Sequence, residues 1–258
     1  MTLSTLLLAH PDEPRHEAAA AAVLRVLEAH EMEVEMFAAP RAVLERRMRE
    51  GGIDMLATAW LPDRDAEWTT AAFGMGAMGG VLYRPHALWA ATTAVPPAIA
   101  TLEDLGRPET AAILERSLLV PASLETLCRE VVGTYGLAEA GFALEVLPEE
   151  NAVLRATALL DAGVAAVVPC WQPGALLHGG RLRPLADPRG VLGRPQEARL
   201  LLREGLRAEL DPDLLDELDE LTLGNPVISA MENAMRRDGM SADDAAEAWQ
   251  RGKLTPRT

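Results

Sequence analysis

"LLLAHPDEPRHEAAAAAVL", residues 6–24, runs from an apolar stretch through a knot of His, Pro, Asp and Glu into a series of alanines. That pattern reads as a buried strand over residues 3–8 handing over to a helix over 15–29. His10-Pro11-Asp12-Glu13 stands at the handover, where alternating strands and helices offer backbone amides, a positive helix end or metal ligands. The alternation continues. "MEVEMF" (32–37) alternates as a strand, residues 41–50 read as a helix stopped by Gly51-Gly52, and "IDMLATAW" (53–60) is a third strand. A β-α-β-α-β order predicts a parallel sheet with ligand-facing loops at the carboxyl ends of its strands. HPDE and Trp60-Leu61-Pro62 both stand at such ends and so belong to one crevice.

Beyond this unit, "FGMGAMGG" (73–80) is rich in glycine but lacks the Lys-Ser/Thr of a phosphate loop, and reads as a flexible loop. "LWAATTAVPPAIATLEDL" (88–105) carries a Pro-Pro break suited to a crossing between lobes. A second alternation follows. Residues 117–121, 142–148 and 164–171 read as strands, and 122–136 and 149–163 as helices. The tail reads as helical, with Asp211-Pro212 and Asn225-Pro226 as starts and Ser241 with Asp244 as a capping box.

The bulk composition narrows the function. A net charge of −15 over 258 residues excludes a phosphate-backbone partner, which needs clustered Lys and Arg, so no nucleic acid is expected. No apolar run reaches the ~20 residues of a membrane span. The N-terminus shows neither a basic region nor a small-residue cleavage site, so the chain reads as cytosolic or as a mature form. Cys128 and Cys170 lack metal-site spacing and read as buried thiols, with a single disulfide left open. Five of the ten aromatic residues are tryptophans, Trp60, Trp68, Trp89, Trp171 and Trp249.

A strand ending in His-Pro-Asp-Glu resembles the zinc-dependent deacetylases of the LmbE type. That chemistry needs a third protein ligand, and His16, His30, His86 and His178 form no His-x-x-His. No nucleophile elbow or His-Glu-x-x-His is present either. The residues favour a protein without metal, cofactor or catalytic group, and a metal-dependent deacetylase built on His10-Pro11-Asp12-Glu13 is the alternative.

From residue 6 to 251 the order of motifs is similar to that of the substrate-binding proteins of glycine betaine/choline/proline-betaine ABC importers, the OpuAC family. "VLRVLEAHEMEVEM" (23–36) and "REGGIDMLATAWLP" (49–62) match its early segments. "TTAVPPAIATLEDL" (92–105) resembles its linker, "VVPCWQPGALLHGGRLRPLADPRGVLG" (167–193) its Trp-x-Pro-His and Asp-Pro block, and "LTLGNPVISAMENAMRRDGMSADDAAEAW" (221–249) its closing helices.

The resemblance implies an α/β, two-lobed type II periplasmic-binding-protein fold, with two parallel or mixed sheets flanked by helices and a hinge. Residues 1–94 with 174–258 would form the first lobe and 95–173 the second. It implies a monomeric solute-binding protein that holds a quaternary ammonium or related zwitterion in the interlobe cleft and serves an ABC permease. A cytosolic sensor with the same fold is a further alternative. It places the protein outside the cytoplasm, in the periplasm, whereas the N-terminus leaves a cytoplasmic location open. Trp60 and Trp171 match two tryptophans of the family's aromatic box, whose faces attract a diffuse cation by ~2 kcal/mol when desolvated. His10, Pro11, Asp12 and Glu13 would form a ligand-facing loop for an anionic end. Trp249 matches a core position. Where the family has Trp-x-Pro-His, this chain reads Trp171-Gln172-Pro173-Gly174, and no further Trp stands between 106 and 170.

Overall fold

The computed structural model describes residues 5–254. In chain order the elements of the first half are β1 (Leu6–Pro11), α1 (Pro14–Ala29), β2 (Val34–Ala39), α2 (Arg41–Arg49), β3 (Met55–Leu61), β4 (Met75–Ala77), β5 (His86–Thr92), α3 (Pro108–Ala111) and β6 (Ser117–Pro121). The second half has α4 (Glu125–Tyr135), β7 (Ala143–Leu147), α5 (Glu149–Asp161), β8 (Val167–Gln172), β9 (Leu182–Pro184) and β10 (Glu197–Arg203). Three helices close the chain, α6 (Pro212–Glu220), α7 (Gly224–Asp238) and α8 (Ala242–Gln250). The expected strand at 3–8 begins at Leu6, its first two residues lying outside the described residues. The α/β class with mixed sheets flanked by helices is the predicted one.

The chain forms two compact units, one running to Pro85 and resuming at Gln196, the other spanning His86–Pro195. The expected crossings near 95 and 173 lie within the residues of the second unit, where His86–Ala91 of β5 pair with β8.

In the first unit the strand order is β2-β1-β3-β10-β4. β1 is parallel to β2 and β3, as the β-α-β-α-β pattern requires, whereas β10 runs antiparallel to β3 and β4. The sheet core gathers Ala9, Leu44, Met48, Ile53, Leu56, Trp68 and Phe73. The alanines of α1 serve packing. Ala18 and Ala21 meet Met231 of α7 and Ala242, Ala245 and Ala246 of α8, small side chains that let helix backbones approach while retaining high helix propensity.

Several motif aspartates hold this framework. Asp54 accepts the Leu7 amide at 2.9 Å and pairs with Arg203 at 2.5 Å, tying the start of β3 to β1 and β10. The glycine-rich stretch is not a loose loop. It contains β4, and Asp219 of α6 accepts the amides of Gly79 (2.8 Å) and Gly80 (3.1 Å).

The second unit holds a three-stranded antiparallel sheet, β8-β5-β9, and a parallel pair, β6-β7. Its main core runs from Trp89 through Leu118, Val120, Cys128 and Val131 to Leu192. Asp104 accepts the amides of Ala100 and Thr101, each at 2.9 Å, and Asp187 accepts that of Leu192 at 2.7 Å. Both aspartates belong to recognised motifs, and both close turns.

Of the expected helix starts, Asp211 caps α6 through the Asp213 amide and Ser241 caps α8 through the Asp244 amide. Asn225 does not cap α7. Its side chain instead bonds the backbone of Arg84 in both directions, accepting at 2.9 Å and donating at 2.8 Å. No helix among the described residues is long and apolar enough to cross a membrane.

Candidate functional site

The carboxyl ends of β1, β2 and β3 lie side by side in the first unit, and the sequence loads each of them with an arginine. Arg15 follows β1 in the first turn of α1, Arg41 follows β2 as the first residue of α2, and Arg64 follows β3. Glu13 sits between two of them, 3.7 Å from Arg15 and 3.8 Å from Arg41. Arg41 also pairs with Asp65, whose other oxygen accepts the Trp60 amide at 2.7 Å. Desolvation lowers the pKa of Arg64, helped by the like charge of Arg41, while Glu13 and Asp65 oppose the shift. Burial raises the pKa of Asp65 against the pull of Arg41.

Trp60 is fully buried under this cluster. The imidazole of His16 stacks on its indole, Arg64 lies over the ring at 4.9 Å and Arg15 at 6.0 Å. A chain of hydrogen bonds runs beneath. Trp60 Nε1 donates to Tyr83 Oη at 3.0 Å, Tyr83 meets Thr58 Oγ1 at 2.9 Å, and Thr58 meets His16 Nδ1 at 3.1 Å. Trp60 Nε1 is the donor at one end of this run, and the two hydroxyls link it to the His16 imidazole. Burial, and then Arg41, Arg15 and Arg64, hold the pKa of His16 well below 6.5. Its other ring nitrogen, Nε2, is buried and has no hydrogen-bond partner.

The HPDE stretch is brought to the same edge as Trp60, as the alternation implied. His10 is buried, with Nδ1 2.8 Å from the Pro11 carbonyl, and burial lowers its pKa. The Asp12 amide donates to Ala39 O and the Glu13 amide to Pro11 O, so these two donors are engaged within the backbone. Asp12 is exposed, and Glu13 faces the arginines. Among the described residues no three His, Cys, Asp or Glu side chains are gathered as metal ligands.

Trp171 belongs to the second unit. It lies near the end of β8, half-buried against that unit's core, with Nε1 donating to Ser123 Oγ at 2.9 Å. The absence of His after Pro173 has a local reason. A Cβ at Gly174 would stand 2.7 Å from the Trp171 carbonyl oxygen, too close for any side chain on this backbone.

The three arginines were missed in the sequence because each, taken alone, reads as a solvated surface charge. The available signal was positional, since each stands just past a strand of the parallel set.

The fold is shared with solved solute-binding proteins. The closed lactococcal OpuAC complexed with glycine betaine is 17% identical at a TM-score of 0.75, with 96% of each chain covered. The glycine/betaine/L-proline-binding protein ProX from Borrelia burgdorferi is 18% identical at 0.70, covering 95% of this chain and 92% of its own. An ABC-transporter choline binding protein in complex with choline is 16% identical at 0.70, covering 98% and 91%. No curated protein matches by sequence. The family model for the substrate binding domain of ABC-type glycine betaine transport systems matches residues 4–251, and the chain belongs to that OpuAC family of solute-binding, non-catalytic proteins.

Proposed function

We propose that the protein captures a small zwitterion of the glycine betaine type and delivers it to an ABC permease on the extracytoplasmic side of a membrane. The observation that carries this reading is the family match over residues 4–251, which takes in both units. The six expected site residues divide between the units. His10, Pro11, Asp12, Glu13 and Trp60 stand at the carboxyl edge of β1 and β3, and Trp171 offers a half-buried indole in the second unit. A zwitterion suits these surroundings, since the Trp171 indole attracts a diffuse cation and the neighbouring Arg15, Arg41 and Arg64 attract a carboxylate. We further assign the protein to a monomeric state.

Calorimetry and thermal shift with glycine betaine, choline, carnitine and proline betaine test the reading. Saturable binding of at least one is expected, with ~2.7 kcal/mol of added stability at a hundredfold excess over Kd. Flat titrations with all four would overturn the ligand assignment.

A further inference from the structure

We infer that the carboxyl edge of β1–β3 is an oxyanion pocket, in which Arg41, Arg15 and Arg64 take the anionic group of the ligand, while Trp60 is already occupied by cations of the chain itself. The inference deepens the zwitterion reading by naming the group that the first unit recognises.

Three guanidinium groups share this edge with the carboxylates of Glu13 and Asp65. Arg15 is 3% exposed, so its guanidinium lies within the cluster and away from solvent. Arg41 uses Nη1 for Asp65, but its buried Nε and Nη2 groups have no hydrogen-bond acceptor. Buried donors without acceptors are costly, and an oxyanion is the acceptor a guanidinium fork fits best. His16 Nε2 is a further buried polar atom without a partner among the same residues. Arg41 and Glu13, about one-fifth exposed at 22% and 20%, open the cluster to solvent. The amino ends of α1 and α2 also meet at this edge and favour negative charge there.

Trp60 argues in the same direction. A cation–π site needs a ring face open to the ligand, and this indole is buried against His16, Arg15 and Arg64. A ligand that approaches this edge therefore meets guanidinium groups before it meets the ring.

The test uses isosteres that separate the two charges of a betaine. 3,3-Dimethylbutanoate keeps the shape and the carboxylate of glycine betaine and replaces its ammonium by carbon, whereas choline keeps the ammonium and lacks the carboxylate. Calorimetry on the full chain should show 3,3-dimethylbutanoate binding, and Arg41→Gln should weaken it at least tenfold. Failure of 3,3-dimethylbutanoate to bind, or equal binding by folded Arg41→Gln, overturns the pocket. Glycine betaine and choline report separately on the zwitterion reading. Binding of 3,3-dimethylbutanoate alone keeps the pocket and removes the betaine assignment, and binding of choline and glycine betaine without it does the reverse. If Arg41→Gln does not fold, the ranking of the three ligands on the unaltered chain decides the matter.

Discussion

The imidazole of His16 stacks on the indole of Trp60 with ring centroids 5.1 Å apart and planes 22° from parallel. The pair joins α1 to β3 in the interior, and it changes which tryptophan carries stability. Matching to family motifs suggested that Trp249 is core and that Trp60 mainly serves ligand. Trp60 is fully buried, whereas Trp249 is only partly buried against the alanines of α1 and α8. Trp60→Ala should therefore cost about 3–5 kcal/mol and Trp249→Ala distinctly less. Urea unfolding of both variants checks the order, and a larger loss at Trp249 would contradict it.

Histidine burial gives the stability a pH dependence of definite sign. Burial, and then Arg41, Arg15 and Arg64, depress the pKa of His16 well below 6.5 in the folded chain. Unfolding below that value takes up a proton, so stability is complete above about pH 6.5 and falls with acidification, by at most ~1.4 kcal/mol per pH unit for one group. His10 and His86 shift the same way, chiefly through burial. Asp65 is raised by burial and acts in the opposite sense, across the more acidic carboxylate range. Urea midpoints from roughly pH 5 to 7.5 should decline on the acid side. His16→Asn should flatten that slope even if its midpoint is lower throughout. An unchanged slope would exclude His16 as the source.

The sequence carried the fold further than the site, for a physical reason. Strand–helix alternation is written in local hydrophobic periodicity, so the order β1, α1, β2, α2 and β3 was legible, with each strand starting two or three residues later than expected. β5 was obscured by the Pro-Pro that follows it, and β10 enters the first sheet from more than a hundred residues away, which no local pattern announces. The motif aspartates Asp54, Asp104 and Asp187 proved to close turns and strand edges, so the family signature in this chain largely encodes architecture. The arginine cluster depends on Arg15, Arg41 and Arg64 meeting only after three strands have paired.

Gly80 tests how the glycine-rich stretch is held. A Cβ at Gly80 would stand 2.4 Å from the Asp219 carbonyl oxygen, a clash with backbone that no side-chain rotation relieves. At Gly79 the nearest atom would be Asp219 Oδ1 at 3.5 Å, an ordinary contact. Gly80→Ala should cost about 1–3 kcal/mol through overpacking. Gly79→Ala should stay within ~0.5 kcal/mol. Equal urea midpoints for the two variants would show that the junction with Asp219 is loose.

Cys128 and Cys170 are both buried free thiols. Burial pushes the Cys128 thiol up to about 12, so it carries almost no thiolate at neutral pH. A thiol-specific chromogenic reagent near pH 8 should leave the native chain largely unlabelled and release two equivalents after denaturation without reductant. Release of none after denaturation would mean that the two cysteines had paired.

Trp171 is the remaining aromatic expected to meet ligand, and its setting permits a clean test. Its ring is half-buried against the core of the second unit, and Nε1 is held by Ser123 Oγ at 2.9 Å, so the indole is fixed without being fully enclosed. A cation–π contact there would contribute up to ~2 kcal/mol, or about thirtyfold in affinity. Trp171→Phe keeps a smaller aromatic face and loses the hydrogen bond, while Trp171→Ala removes the face. For a quaternary ammonium ligand the expected order of affinity is native, then Phe, then Ala, with Ala at least tenfold weaker than Phe. Ser123→Ala separates positioning from contact, because it frees the indole without shortening it and should weaken binding only a few-fold. Thermal unfolding of each variant verifies that the protein remains folded. Equal affinities for Trp171→Phe and Trp171→Ala would show that the ring face does not touch the ligand's cation.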